Sequence, residues 1–394
     1  MRSIQETAVY RGIGKYFVSL VRELNKIDKH NDYYLFMYPR QAEFAQQMLP
    51  HGEHWHFIHL PFNHWRHRKF IRTFALGHET LAIDKYALDV LFQLDILYPI
   101  KSTKTPIVSI VHDLIPFILK DEYQEPVKVE QRNYVGLVVY LKKKRISKLF
   151  NSSIHQHGRS DSVIAISGHT ATDLHTMTNT SPAKTIVIPH GAETIPPGTK
   201  PVRPKTLPQG KPFIFYVGGV DPRKRIPMLI KQFAAISQDY SELLLVIAGK
   251  EATNMDVPQA RKIKAVIKKL GLEKRIVLTG YVSDEELAYL YDKAEAFVLT
   301  SKYEGFGLQI LEAYLAGCPV VAYGNSSIPE VAGDAALLVE EGQSLMPAVA
   351  KIIDGPILRK TLIEKGRLRA SSFTWESTAR QTLGVLESTA RTKQ

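Results

Sequence analysis

The chain is poor in several features, and each absence narrows its class. It has one cysteine, Cys318, in 394 residues, so no disulfide can form within it. Such sparing use of cysteine points to a reducing compartment. Cys318 stands in an apolar run and reads as a buried, inert thiol. The longest apolar runs, such as 135–141 and 243–248, fall far short of the roughly 20 residues that cross a bilayer. Met1 is followed by polar residues, not by the apolar stretch of a secretory leader. A cytoplasmic location is therefore expected. Histidine is absent after His190, although the chain has 14, so the two halves differ in composition. Acid is in deficit: the net charge is +12, which favours anionic partners such as phosphates or an acidic membrane surface. Residues 1–200 carry 25 Lys+Arg against 18 Asp+Glu, and the remainder 26 against 21. Neither half is basic enough for a nucleic-acid partner to be expected.

What is present alternates short apolar strands with longer helices. TPIVSIVHD (105–113), SVIAIS (162–167) and TIVIPHG (185–191) read as strands. So do FIFYVGG (213–219), LLLVIAG (243–249), RIVLTGY (275–281), AFVLTS (296–301) and PVVAYG (319–324). PMLIKQFAAIS, QARKIKAVIKKLG, DEELAYLYDKA and LQILEAYLAG read as the helices between the later strands. This alternation predicts an α/β protein built of doubly wound parallel sheets, which bind ligands at the carboxyl ends of their strands. The proline-rich stretch TIPPGTKPVRPKTLPQGKP (194–212) has no periodicity and reads as a linker. We expect a first domain over 1–195, a linker over 196–211 and a second domain over 212–375, with a ligand cleft between the domains. FTWESTARQTLGVLES (373–388) predicts a final helix, with Thr374 as a candidate cap. Residues 1–9 hardly supply the strand that should precede RGIGKY. Either coding sequence lies upstream of Met1 or the first strand is missing, and the missing strand is the expectation.

Four stretches carry candidate chemistry. The first is SKYEGFGLQILEAYLAGCPVVA (301–322), a strand exit followed by a helix. Leu308, Leu311 and Leu315 share one helix face. Gly305 and Gly307 let an anion approach the backbone near the helix start, where open amides and the helix dipole favour phosphate. Glu312, over a turn inside, would repel a phosphate and suits a sugar diol. Glu304, before the helix, suits hydroxyls on the other side. Two acids flanking a diphosphate site describe a sugar nucleotide. The second is YVGGVDPRKRIPMLIKQF (216–233): Gly218 and Gly219 end a strand, and Arg223 and Lys224 follow where cations can neutralise a departing diphosphate. Arg225 reads as surface. The third is RGIGKY (11–16), where Gly12, Gly14 and Lys15 form either a tight turn or a loop facing the phosphates or the acceptor. The fourth is IVSIVHDLIPF (107–117). His112 closes a buried strand there, and structural and sugar-binding roles are both open.

Two further stretches are weighed. Histidines 51, 54, 56, 59, 64 and 67 fit no standard zinc spacing and read as a surface strand and loop. YLKKKRISKLF (140–150), with Lys142, Lys143, Lys144, Arg145 and Lys148, is either a solvated helix face or a basic amphipathic helix on anionic lipid.

These motifs together resemble the large family of retaining GT-B glycosyltransferases that includes bacterial mannosyl-, rhamnosyl- and glucosyltransferases and sucrose synthase (glycosyltransferase family 4). The resemblance covers nearly the whole chain. Its strongest part is the Glu-x7-Glu element from Glu304 to Glu312, followed by YLAGCPVVA and SSIPEVAGDAALLV. YVGGVDPRK resembles the donor-phosphate loop, VHDLIPF and RGIGKY the N-terminal domain, and FTWESTA the terminal segment whose helix returns to that domain. The resemblance implies two facing Rossmann-like domains. It implies that Glu304 holds the donor sugar, Glu312 the ribose, and the amides from Gly305 through Phe306 and Gly307 to Leu308 the diphosphate. Lys224 matches the phosphate lysine, His112 the histidine near the anomeric carbon and Gly14 the N-terminal glycine loop. Gly218, Gly219 and Val282 complete the donor side, and Gly12 and Lys15 the acceptor side. Where the family often has an arginine, this chain has Gly219, and Arg223 is the substitute. The expected donor is a nucleotide-diphosphate sugar, GDP-mannose being favoured, and the acceptor a glycan or lipid-linked glycan. No metal or other cofactor is expected. A non-catalytic partner protein and a nucleotide-sugar epimerase are the alternatives.

Overall fold

The computed structural model describes residues 12–37, 47–59, 84–94, 104–120, 159–193 and 198–392. The chain divides into two compact units. Met1–Gly191 together with Trp375–Gln394 form the first, and Ala192–Thr374 the second. Residues 1–11, where a first strand was sought, and 140–150, the basic stretch, lie outside the described residues.

In the first unit, helix α1 (Ile13–Ile27) buries Tyr16, Phe17, Leu20, Val21 and Leu24 at helical spacing. It begins at Ile13, inside the RGIGKY stretch that the sequence presents as a turn or loop. Gly12, at φ 59°, caps it, and Gly14 lies buried in its first turn. Strands β1 (Tyr33–Met37) and β2 (Trp55–His59) pair in parallel as a separate two-stranded sheet. β3 (Leu91–Gln93), β4 (Ile107–Val111), β5 (Ser162–Ala165) and β6 (Thr185–Val187) form a parallel sheet in that order. A short helix α2 (Ile115–Ile118) follows β4. α3 (Gly168–Met177) follows β5 and is capped by Ser167, whose hydroxyl accepts from the Thr170 amide at 3.0 Å.

The second unit is a six-stranded parallel sheet in the order β12-β11-β10-β7-β8-β9. Its strands are β7 (Phe213–Val217), β8 (Leu244–Ala248), β9 (Ile276–Gly280), β10 (Ala296–Leu299), β11 (Val320–Tyr323) and β12 (Ala336–Val339). Residues of β7, β8, β10 and β11 are all buried, as expected of a parallel sheet covered by helices on both faces. The helices are α4 (Ile226–Asp239), α5 (Pro258–Lys269), α6 (Asp284–Lys293), α7 (Leu308–Leu315), α8 (Ile328–Ala332), α9 (Met346–Asp354) and α10 (Pro356–Ser371). α4 shows why they form: a proline sits in its first turn, and Ile226, Leu229, Ile230, Phe233 and Ile236 line one buried stripe. Ser283 and Glu286 close a reciprocal capping box on α6.

Of the proline-rich linker, residues 198–211 are anchored to the second unit. Leu207 is buried, and the Val202 amide donates to the Glu285 carbonyl at 3.0 Å. The boundary falls at Gly191/Ala192, a few residues before the expected one. Helix α11 (Trp375–Arg391) belongs to the first unit, where it packs along α1. The Thr378 hydroxyl donates to the Pro189 carbonyl at 2.8 Å, and the hydroxyls of Ser162 and Thr389 bond at 2.8 Å.

Candidate donor site and the buried histidine

The strand order of the second unit decides where its site lies. β7 is first in sequence, β8 and β9 extend to one side, and β10 lies on the other. β7 and β10 pair in parallel through Ile214↔Ala296 and Phe215↔Phe297, so their carboxyl ends share one edge. The chain order reverses between them, which is where open α/β sheets bind ligands. Two loops meet there although some 80 residues separate them in sequence. The Lys302 amide donates to the Arg223 carbonyl at 2.8 Å, and the Thr300 hydroxyl to the Lys224 carbonyl at 2.6 Å.

The β7 loop is set by glycine and by a cap. Gly218 has φ 155°, and a Cβ there would meet the Tyr216 hydroxyl at 2.9 Å. That hydroxyl donates to the Gly219 carbonyl at 2.9 Å. Gly249, at the end of β8, is tighter still: a Cβ would lie 2.1 Å from the Gly218 carbonyl oxygen, so only glycine fits. Asp221 then caps a short 3-10 turn, Pro222–Lys224, and accepts from the Arg223 amide at 3.1 Å. Arg225 follows in a left-handed conformation, φ 53°, and pairs with Glu341.

Arg223, Lys224 and Glu304 are brought into direct contact. Lys224 Nζ donates to Glu304 Oε1, and Arg223 Nη1 donates to Glu304 Oε2 at 2.9 Å and to the Tyr303 carbonyl at 2.8 Å. The Ser301 hydroxyl donates to Glu304 Oε1 at 2.5 Å. Lys224 is 5% and Glu304 6% exposed, so this is a buried charge cluster in which cations outnumber carboxylates. Asp221, 3.8 Å from Arg223 Nε, is a more solvated counter-charge. Burial works to raise the Glu304 pKa, but the charges of Lys224 and Arg223 overcome it and bring it down to about 2. Burial pulls Lys224 down against the attraction of the same carboxylate.

Serines of the β11–α8 loop fix the backbone around Glu304. Ser327 Oγ donates to the carbonyls of Glu304 and Phe306 at 2.9 and 3.1 Å, and the Glu304 amide donates to Ser326 Oγ at 3.0 Å. The sequence motifs assign no role to Ser301, Ser326 or Ser327. Their signal was faint: small polar residues just beyond apolar strands.

Gly307, at φ 96° and ψ 47°, starts α7 without a side-chain cap and without an acid in the first turn. The helix thus presents a positive end beside the cation cluster. Leu308 is half-buried and Gly305 buried. Phe306 and Val282 are interior side chains, 4% and 3% exposed, and the Phe306 ring packs edge-on against Phe373. These two can meet a ligand only through their backbones. Glu312 is half-buried one turn into α7 and accepts from the Tyr291 hydroxyl at 3.3 Å. Gly219 faces an acid: a Cβ there would lie 3.4 Å from Glu251 Oε2. Arg223 is the second cation brought onto Glu304 at this edge.

In the first unit, His112 stands at the carboxyl end of β4, and Lys15 lies half-exposed in the first turn of α1. Four rings from separate segments enclose one another. Tyr16 lies 5.0 Å edge-on from His112 and 4.7 Å from His190, and Trp375 lies 5.9 Å from His190. His112 Nε2 is closed to solvent and has no hydrogen-bond partner among the described residues. Burial pushes the His112 pKa down to about 3, and that of His190 well below its ordinary value. The His112 residue as a whole is half-buried, and the enclosure of Nε2 favours its neutral form.

His54 and His56 both face Asp32, at 3.2 and 3.4 Å, at the start of the half-buried β1–β2 sheet. Among the described residues no three His, Cys, Asp or Glu side chains are grouped to hold a metal ion. No helix among them is long and apolar enough to cross a membrane. Cys318 is buried, its thiol pushed up to about 12 by burial.

Residues 10–194 match the family described as Glycosyltransferase Family 4, and residues 200–369 that described as Glycosyl transferases group 1. The chain belongs to glycosyltransferase family 4. This family member is 32% identical over 176 residues to O-antigen chain mannosyltransferase B of Escherichia coli, covering 44% of this chain and 45% of that protein. It is 29% identical over 231 residues to the MMP α-(1→4)-mannosyltransferase of Mycolicibacterium hassiacum, covering 57% and 53%. The chain thus spans about half the length of these curated relatives. A solved sucrose-phosphate synthase from Thermosynechococcus elongatus superposes with a TM-score of 0.69 at 24% identity, covering 96% of this chain and 93% of that one. Anabaena HepE, solved with UDP and glucose, superposes with a TM-score of 0.68 at 17% identity, covering 96% of each chain. Both likenesses establish the GT-B fold.

Two outcomes are expected. Glu304→Gln leaves Lys224 buried without its counter-charge and should cost about 3–5 kcal/mol in denaturant unfolding, whereas adding Lys224→Met should restore much of that loss. A double variant no more stable than Glu304→Gln would contradict the pairing. For His112, the folded pKa lies below the unfolded one. Between about pH 6.5 and 3 the unfolded chain therefore binds the proton that the folded chain refuses, and stability falls as pH falls through this window. His112→Asn should lower the acid slope of unfolding free energy by up to about 1.4 kcal/mol per pH unit. An unchanged slope would mean that His112 is accessible to protons.

Proposed function

We propose that the chain is a retaining hexosyltransferase. It moves a sugar from a nucleotide-diphosphate donor to a glycan or lipid-linked acceptor in surface polysaccharide synthesis. One observation carries this reading: Lys224, Arg223 and Glu304 form a buried cluster at the switch point between β7 and β10, beside the uncapped start of α7. Cations and open amides suit a leaving diphosphate. The carboxylates of Glu304 and Glu312 suit donor hydroxyls on either side, the sugar's and the ribose's.

In this reading the bond between the anomeric carbon and the diphosphate oxygen breaks, and a bond to the acceptor hydroxyl forms on the same face. The acceptor proton passes to the departing phosphate oxygen. Lys224 and Arg223 meet the charge that develops on the leaving group, so no metal is required. His112 hydrogen-bonds the donor sugar through Nδ1, the ring nitrogen that is not enclosed. Retention needs no pair of opposed carboxylates of the glycosidase kind. Mannose is the favoured sugar and GDP the favoured nucleotide, because the curated relatives include named mannosyltransferases. We place the reaction at the cytoplasmic face of the plasma membrane, with peripheral contact to anionic lipid.

Transfer from GDP-mannose, UDP-glucose and a dTDP-hexose to lipid-linked and free glycans tests this directly. We expect one donor to be used, and Glu304→Ala and Lys224→Ala each to lower transfer roughly a hundredfold or more. Near-normal transfer by either variant contradicts the assigned roles. Conversion of the sugar nucleotide without an acceptor would favour an epimerase, and nucleotide binding without transfer a non-catalytic partner.

A further inference from the structure

Helix α5 (Pro258–Lys269, PQARKIKAVIKK) carries five cations and no acid. Its buried residues, Ala260, Ile263 and Ile267, form one stripe against the unit. Arg261, Lys262, Lys264, Lys268 and Lys269 are all exposed; Lys264 flanks the buried stripe, and the others surround the exposed Ala265 on the opposite half of the helix. Exposed cations elsewhere in the described residues commonly sit against acids: Lys26 on Glu23, Lys365 on Asp334, Arg380 on Glu376 and Arg391 on Glu387. On α5, Arg261 reaches only the Met255 carbonyl, at 2.7 Å. Lys262, Lys264, Lys268 and Lys269 have no acidic partner among the described residues.

This face repels itself. Lys264 and Lys268 stand four residues apart, a spacing at which like charges disfavour a helix. The helix C-terminus rewards Lys268 and Lys269, but the first turn has no acid to meet the dipole, and Arg261 and Lys262 lie close to it. Asp256 and Glu273 flank the helix without entering it, and Arg275 is spent on the carbonyls of Ser237, Tyr240 and Leu243. Among the described residues no acid compensates for the cluster, and an anionic surface outside the chain would complement it.

We infer that the outer face of α5 docks on an anionic phospholipid surface. This names a membrane-contacting element for the peripheral contact proposed above and rests on that part of the reading alone. The patch is convex, lysine-dominated and free of aromatic rings. A nucleic-acid site would favour a groove with arginine forks or stacking aromatics. A charged surface needs only point charges at one level, each Lys near it worth roughly fivefold in affinity. Ala265 between the cations lets the helix approach closely, and Leu270, 39% exposed at its end, offers an apolar contact.

The full chain would be sedimented with phosphatidylcholine vesicles, with and without one-third phosphatidylglycerol, at low and physiological salt. We expect binding only to the anionic vesicles, weakened by salt, and at least tenfold weaker for K262Q/K264Q/K268Q/K269Q. Unchanged nucleotide binding in that variant would show that it folds and would separate this test from that of the transferase reading. The second basic run, altered in parallel as K142Q/K143Q/K144Q/K148Q, is the internal competitor. Unchanged binding by the α5 variant overturns the inference, whether or not the second variant loses it. So do equal binding to neutral vesicles and tighter binding to duplex DNA than to anionic vesicles.

Discussion

A single carboxylate, that of Glu304, is held away from water by two cations and a serine hydroxyl. Apolar residues of equal volume would fill this space at no loss of stability and often at a gain. What the charged cluster supplies is position. Lys224 and Arg223 are locked at the sheet edge with a charge that a diphosphate can meet, and Glu304 stays ionised far below neutral pH. On the proposed reading the cluster is in place before a diphosphate arrives, which is the condition for electrostatic stabilisation without reorganisation.

The rest of the second unit serves this arrangement. Placing β10 beside β7 brings two distant loops to one edge. Gly218 and Gly249 let the loops after β7 and β8 press together where no side chain fits. Ser326 and Ser327 hold the Glu304–Phe306 backbone, and Gly307 turns it into α7. The first unit adds a different device: a ring cluster around the enclosed Nε2 of His112, to which α1, the loops after β4 and β6, and α11 each contribute one ring.

Much of this was legible in the sequence because parallel strands are continuous apolar runs and amphipathic helices have a period. Every strand from β4 to β11 was anticipated within a few residues. β3 is three residues long, and β12 is a half-exposed edge strand, so neither gave a distinct signal. α10 mixes charge and apolar residues around its circumference, which hid it. RGIGKY looked like a glycine loop because two glycines usually break a helix, yet packing against α11 carries Gly14 inside α1. At the site, the residue types were legible and their partnership was not. Glu304 was expected to face sugar and Lys224 phosphate. That the two hold each other depends on strand order, which no local pattern encodes. The serines were missed for the same reason.

A cluster that holds a diphosphate should lose affinity stepwise as phosphates are removed from the ligand. Isothermal titration of the chain with a nucleoside diphosphate, its monophosphate and the nucleoside would measure what each phosphate adds. The account predicts at least a tenfold loss of affinity on removing the β-phosphate, and that this step vanishes in Lys224→Met. Equal affinity for the diphosphate and the monophosphate, in a chain that binds both, would contradict it.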